Sequence, residues 1–131
     1  MSKRVKKIDF LGQKRDPRSV SETELLHAVI DLVAASDWLW FHEWDSRRKP
    51  YSGSNANGFP DLVLVDANAV YFVELKRHYG KLRPEQEVWR DGLLDVGENY
   101  GVWRPADWPH ILKWVAGDLD GQLAFHLFGT E

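Results

Sequence analysis

The chain has 131 residues and no cysteine, which sets the size of one domain with a real core and excludes disulfides and thiolate-bound metal. Seventeen Lys and Arg against 20 Asp and Glu leave a net charge of −3, and no apolar run approaches the roughly 20 residues of a membrane span. The N-terminus is basic but has no apolar segment behind it, so no export signal is read and a cytoplasmic location is expected.

The charge is unevenly placed. Residues 1–20 carry a net +5, and the remainder a net −8. A basic arm on an acidic body suits a polyanion met through a local patch; a tail that is partly disordered and merely aids solubility has the same composition. The folded domain is expected over residues 21–131. Its first segment, SETELLHAVIDLVAA (21–35), has the spacing of an amphipathic helix with Leu25, Leu26, Val29, Ile30 and Val33 on one stripe. Ser21 with Glu24 fits a capping box, as does Ser19 with Glu22. Glu22 prolongs the apolar stripe and so points inward, whereas Glu24 aligns with Ala28 and Asp31 on the outer face.

Residues 37–45, DWLWFHEWD, predict a strand whose aromatic side chains are expected in the core. The loop of residues 46–58 follows, with Arg47, Arg48 and Lys49 beside Tyr51 and a Gly/Ser/Asn tract. Basic groups and an aromatic ring on a mobile loop suit contact with phosphates and bases, or else only solvent.

Two short apolar runs, 62–65 and 70–73, then predict a hairpin turned at Ala67-Asn68. Pairing Asp66 with Ala69 and counting back sets Asp61 across from Glu74. Like charges roughly 5 Å apart repel, and two carboxylates so placed at the rim of an apolar sheet invite a hard divalent cation, with Lys76 beside it. Asp61 capping a turn, with Glu74 and Lys76 on a solvated edge, fits the same spacing. Arg77, His78, Lys81 and Arg83 add a second basic patch. Pro84 opens a helix that Gly97 ends, with Gln86 in its first turn and Val88, Trp89, Leu93 and Val96 as its inner stripe. A strand over 100–104, a helix over 107–116 carrying Trp108, Ile111, Leu112 and Val115, and a last strand within 121–128 complete the reading. Asp118 and Asp120 lack the downstream glutamate of a calcium loop.

Helix, strand, hairpin with Pro60-Asp61 and Glu74-Leu75-Lys76, helix, strand is the order of the PD-(D/E)XK nuclease core. GFPDLVLV, VYFVELKRHYGKLRPEQEVW and VWRPADW together resemble the virus-type replication-repair nuclease (VRR-NUC) family in its short stand-alone form, over about residues 21–116. The resemblance implies an α/β restriction-endonuclease-like fold, a mixed sheet flanked by helices. It makes Asp61 and Glu74 ligands of Mg²⁺ or Mn²⁺, helped by the Leu75 carbonyl and by Glu22, with Lys76 the catalytic lysine and Gln86 a further site residue. Arg47, Arg48, Lys49, Arg77, Lys81 and Arg83 are the expected DNA contacts. The implied activity is structure-specific cleavage of branched DNA, of the Holliday-junction resolvase kind, by a homodimer. A restriction-type duplex endonuclease and a non-catalytic DNA-binding subunit are the alternatives on the same fold.

Overall fold

A computed structural model describes residues 4–42 and 55–118. The elements in order are β1 (Ile8–Phe10), β2 (Gln13–Arg15), α1 (Glu22–Ala35), β3 (Leu39–Phe41), β4 (Leu62–Val65), β5 (Val70–Leu75), α2 (Pro84–Asp95), β6 (Asn99–Trp103) and α3 (Trp108–Val115), with short 3₁₀ turns at Pro17–Ser19, Asn55–Gly58 and Pro105–Asp107. β1 and β2 form a separate hairpin; the main sheet runs β3-β4-β5-β6, antiparallel except for the β5–β6 pair. The fold is therefore mixed α/β on a mixed four-stranded sheet.

Strand alternation sorts the side chains between two faces. Leu62 and Leu64 of β4 and Tyr71, Val73 and Leu75 of β5 enter the main core with Leu25, Val29 and Val33 of α1 and Trp108, Ile111 and Trp114 of α3. Trp38 stacks on Tyr71 with ring centroids 6.0 Å apart, and Trp114 meets Trp38, Tyr71 and Trp103 edge-on. On the other face Phe72 packs on Phe59, which packs in turn on Trp89 of α2. Glu74 shares this second face, because it follows Phe72 by two residues.

The β4–β5 register is the expected one. Leu62 pairs with Val73 and Val65 with Val70, which continues to Asp61 opposite Glu74. The Asp66 carboxylate holds the turn by accepting from the Asn68 and Ala69 amides at 2.7 and 2.9 Å.

Four expectations change. The stretch from Ile8 to Val20 does not stand apart as an arm: Phe10, Pro17 and Val20 are buried, and Phe10 meets Trp108 at 5.3 Å. The hairpin also lies over Ala28, expected to face solvent and in fact buried. In β3 the residues expected in the core are exposed, Leu39 by 69%, because this strand is the outermost of the described sheet; only Trp38, just before it, reaches the core. α2 turns Gln86, Trp89 and Leu93 inward and leaves Val88 and Val96 exposed, and in α3 Trp114 replaces Leu112 in the core. The rest of the strand beyond His42, the basic loop as far as residue 54 and the strand within 121–128 lie outside the described residues.

Gly58 decides how closely the loop before β4 approaches α2. A Cβ there would lie 2.0 Å from the Glu85 carbonyl oxygen and 2.9 Å from the Trp89 ring. Gly58→Ala is expected to lower stability by about 1–3 kcal/mol, read from the denaturation midpoint, since helix backbone must give way.

Candidate active site

Three segments converge on the end of β5: the residue before β4, the first turn of α1 and the first turn of α2. Their geometry follows from hydrogen bonds that leave little choice of rotamer. The Leu75 amide donates to the Asp61 carboxylate at 2.8 Å, locking Asp61 against the neighbouring strand. The Gln86 side chain accepts from the Arg83 amide at 2.8 Å, closing the first turn of α2, and its amide nitrogen donates to Glu74 Oε2 at 3.0 Å. That nitrogen assignment follows from the Arg83 contact, which needs an acceptor. Lys76 Nζ lies 3.8 Å from the same Glu74 oxygen, and the Lys76 amide is held by the Trp103 carbonyl at 3.0 Å. Glu74, Lys76 and Gln86 are 2%, 6% and 6% exposed, so a carboxylate, an ammonium and an amide are packed together almost out of water.

Electrostatics single out Glu74. Burial, followed by the adjoining charge and hydrogen bond of Asp61, pushes its carboxyl up to about 9, against a partial opposing pull from Lys76. One ammonium does not offset the carboxylates gathered here. A small cavity of about 120 Å³ opens between Glu22, Thr23 and Leu26 of α1 and Asp61 and Leu75 of the sheet. Glu22 is exposed at its mouth rather than buried in the stripe it continues. Among the described residues no three His, Cys, Asp or Glu side chains are grouped closely enough to form a metal cage. The donor set does fit a Mg²⁺-like ion, which keeps most of its waters and takes one or two carboxylates. Asp61 and Glu74 would supply these, with the Leu75 carbonyl and Glu22 at the cavity wall.

Glu24 is committed elsewhere. It closes the Ser21 capping box and pairs with Arg15 at 2.6 Å; the Arg15 hydrogen bond, then the Ser21 amide, hold its carboxyl down near 2. Glu22→Gln is expected to lower activity about 10–100-fold, as loss of a group supporting a metal shell does. Glu24→Gln is expected to lower only stability, by roughly 1 kcal/mol. A nicking assay run beside a melting curve separates the two.

The structure places the expected DNA contacts unevenly. Arg77 and Lys81 are exposed on the segment after β5, and Arg83 pairs with Glu85 at 2.8 Å. Arg47, Arg48 and Lys49 lie outside the described residues. Two supporting groups were not anticipated. His42 Nδ1 lies 2.7 Å from the Asp61 carbonyl, and the Arg104 guanidinium donates to the Gly80 carbonyl at 2.7 Å, anchoring the loop behind Lys76. Only the tertiary fold brings either pair together, from 19 and 24 residues apart.

Compared with family models, curated proteins and solved structures, the chain matches none. No helix among the described residues is long and apolar enough to cross a membrane.

Proposed function

We propose that this chain is a divalent-cation-dependent endonuclease on a PD-(D/E)XK core, hydrolysing phosphodiester bonds in branched DNA in the manner of a Holliday-junction resolvase. The observation that carries the reading is the buried Glu74 carboxyl, with Lys76 at 3.8 Å and Gln86 at 3.0 Å, facing the half-buried Asp61 carboxylate that the Leu75 amide holds at 2.8 Å. A purely structural ion pair has no use for a second, opposed carboxylate that pushes the first toward neutrality.

Asp61 and Glu74 would hold a Mg²⁺ or Mn²⁺ ion, which would supply Lewis-acid polarisation of the scissile phosphate and acidify water. The protein's own groups do the rest. Leu75 N–H and Gln86 hold the two carboxylates in fixed rotamers, so no reorganisation is needed when the phosphate arrives. Lys76, 3.8 Å from Glu74, offsets charge on the phosphate and orients the attacking water. Glu22, across the cavity from Asp61, would help hold the ion from the α1 side.

Cutting both strands of a junction calls for two sites, and two-fold pairing of copies is the commonest way to provide them. We therefore include a homodimer in the proposal; the exposed Leu39, Trp40 and Phe41 of β3 supply apolar surface for it. Sedimentation at micromolar concentration is expected to give the mass of two chains. As part of the proposal, the chain acts in the cytoplasm of a bacterial or phage-infected host cell.

The activity is tested by incubating a four-way junction and a linear duplex of the same sequence with Mg²⁺ or with EDTA. Metal-dependent, paired cuts near the branch are expected. Fixed cleavage sequences on linear duplex would indicate a restriction-type enzyme, and binding without cutting in any metal a non-catalytic subunit.

A further inference from the structure

The positive charge of the N-terminal segment has no part in the site just described, yet the fold delivers it to one place. Lys6, Lys7 and Lys14 line a groove of about 550 Å³ that the β1–β2 hairpin forms with His78, and with His110 at the start of α3. A second cavity of about 410 Å³ is lined by Arg18, Arg77, His78, Tyr79 and Gly80. His78 belongs to both, so the two cavities adjoin, and Arg77 on the wall of the second is the next residue in the chain after Lys76.

Three features make these adjoining cavities a receptor for anions rather than a solvated surface. Lys6, Lys7, Lys14 and Arg77 have no carboxylate partner among the described residues, whereas Arg15, Arg18, Arg83 and Arg90 all do. Asp9 is the single acidic group on the groove wall, and its carboxylate accepts the Gly12 amide at 3.1 Å in the hairpin turn. His78 lines both cavities. The loop that carries it is fixed: Gly80 N–H donates to the Arg77 carbonyl at 3.0 Å, and Arg104 donates to the Gly80 carbonyl. The net charge of the whole chain opposes DNA, so binding must be carried by a local basic track of this kind.

We infer that the β1–β2 hairpin and the His78 loop form a backbone-binding track for duplex DNA, which seats the phosphates flanking the scissile one from Arg77 outward to Lys6, Lys7 and Lys14. The inference rests on the nuclease reading for its choice of polyanion. It assigns substrate grip to a segment that the catalytic geometry leaves unused.

The test is equilibrium binding of a duplex of about 30 base pairs by the full chain in EDTA, at several salt concentrations. Wild type is compared with the Lys6→Ala/Lys7→Ala/Lys14→Ala variant, and melting curves check that both fold; all three lysines are exposed. Each phosphate contact contributes about 0.9 to the slope of log affinity against log salt, so the triple variant is expected to lose roughly 2–3 from the slope and about tenfold or more in affinity. An unchanged slope overturns the track. So does wild-type binding of polyglutamate with the same slope as DNA, which assigns the groove to an acidic protein partner. Wild-type nicking in Mg²⁺ is read separately. If the variant loses its slope but wild type never cuts, the track stands and the nuclease reading falls; an unchanged slope with normal cutting gives the reverse.

Discussion

Asp61→Asn and Glu74→Gln are each expected to lose Mg²⁺-dependent cleavage by roughly 10²–10³-fold or more, the scale seen when one preorganised group that stabilises a transition state is removed. Neither change should unfold the protein. Asn at 61 still offers an oxygen to the Leu75 amide, and Gln at 74 still offers one to Gln86. What each removes is one carboxyl of the Asp61–Glu74 pair. The variants are therefore expected to melt at the wild-type temperature or above it in EDTA, because folding no longer has to bury one ionisable carboxyl against another. Loss of cleavage together with a raised metal-free melting temperature is not the pattern of a core defect, which lowers both. Undiminished nicking by both variants would move the site away from this hairpin.

Metal-free stability is expected to fall as pH rises from about 6.5 to 9. Burial and the Asp61 charge raise the Glu74 carboxyl to about 9 in the folded state, against an ordinary value of 4.5. Between those values the folded protein holds a proton that the unfolded chain has released, so rising pH favours unfolding. The limiting slope is about 1.4 kcal/mol per pH unit. The Glu74 contribution is full below about 4.5 and gone above about 9. Asp107, raised by burial to about 6, acts in the same direction but only on the acid side of this window. Asp16 and Glu24, drawn down to about 2 chiefly by side-chain hydrogen bonds from Arg18 and Arg15, lose their contribution in acid and leave the window untouched. Glu74→Gln should flatten the profile. Saturating Mg²⁺ should flatten it in wild type too, since a bound cation replaces the proton. Thermal denaturation at four or five pH values, with and without metal, reads all three outcomes.

The hairpin could be read from sequence because its signals are local. Alternation with period two fixed the faces, and Asp66 ahead of Ala67-Asn68 fixed the turn, so the opposition of Asp61 and Glu74 followed by counting. Helix starts were legible for the same reason: Ser21 with Glu24, and Arg83 with Gln86 on either side of Pro84, are contacts within one turn. Burial of whole elements was not. Whether Trp40 and Phe41 are core depends on whether β3 has a neighbour on its far side, which no pattern inside 37–45 encodes. Val88 in α2 and Val96 just after it lie eight residues apart and look like part of a core stripe, but it is Trp89 and Leu93 that are partly buried, Trp89 against Phe59. The N-terminal hairpin was hidden by composition. Its lysines read as a tail, and its turn sets Leu11 at φ 54°, a conformation for which leucine gives no signal. Phe10 was the clue, a lone aromatic in a basic stretch, and it is held against Trp108.

The proposed metal centre at Asp61 and Glu74 is tested most directly by titrating Mn²⁺ into the protein in a calorimeter, beside Asp61→Asn and the Asp61→Asn/Glu74→Gln double variant. Wild type is expected to bind one or two ions with proton release at pH 7, the single variant much more weakly, and the double variant not at all. A wild-type protein that takes up no Mn²⁺, or a double variant that binds it as wild type does, would contradict the assignment.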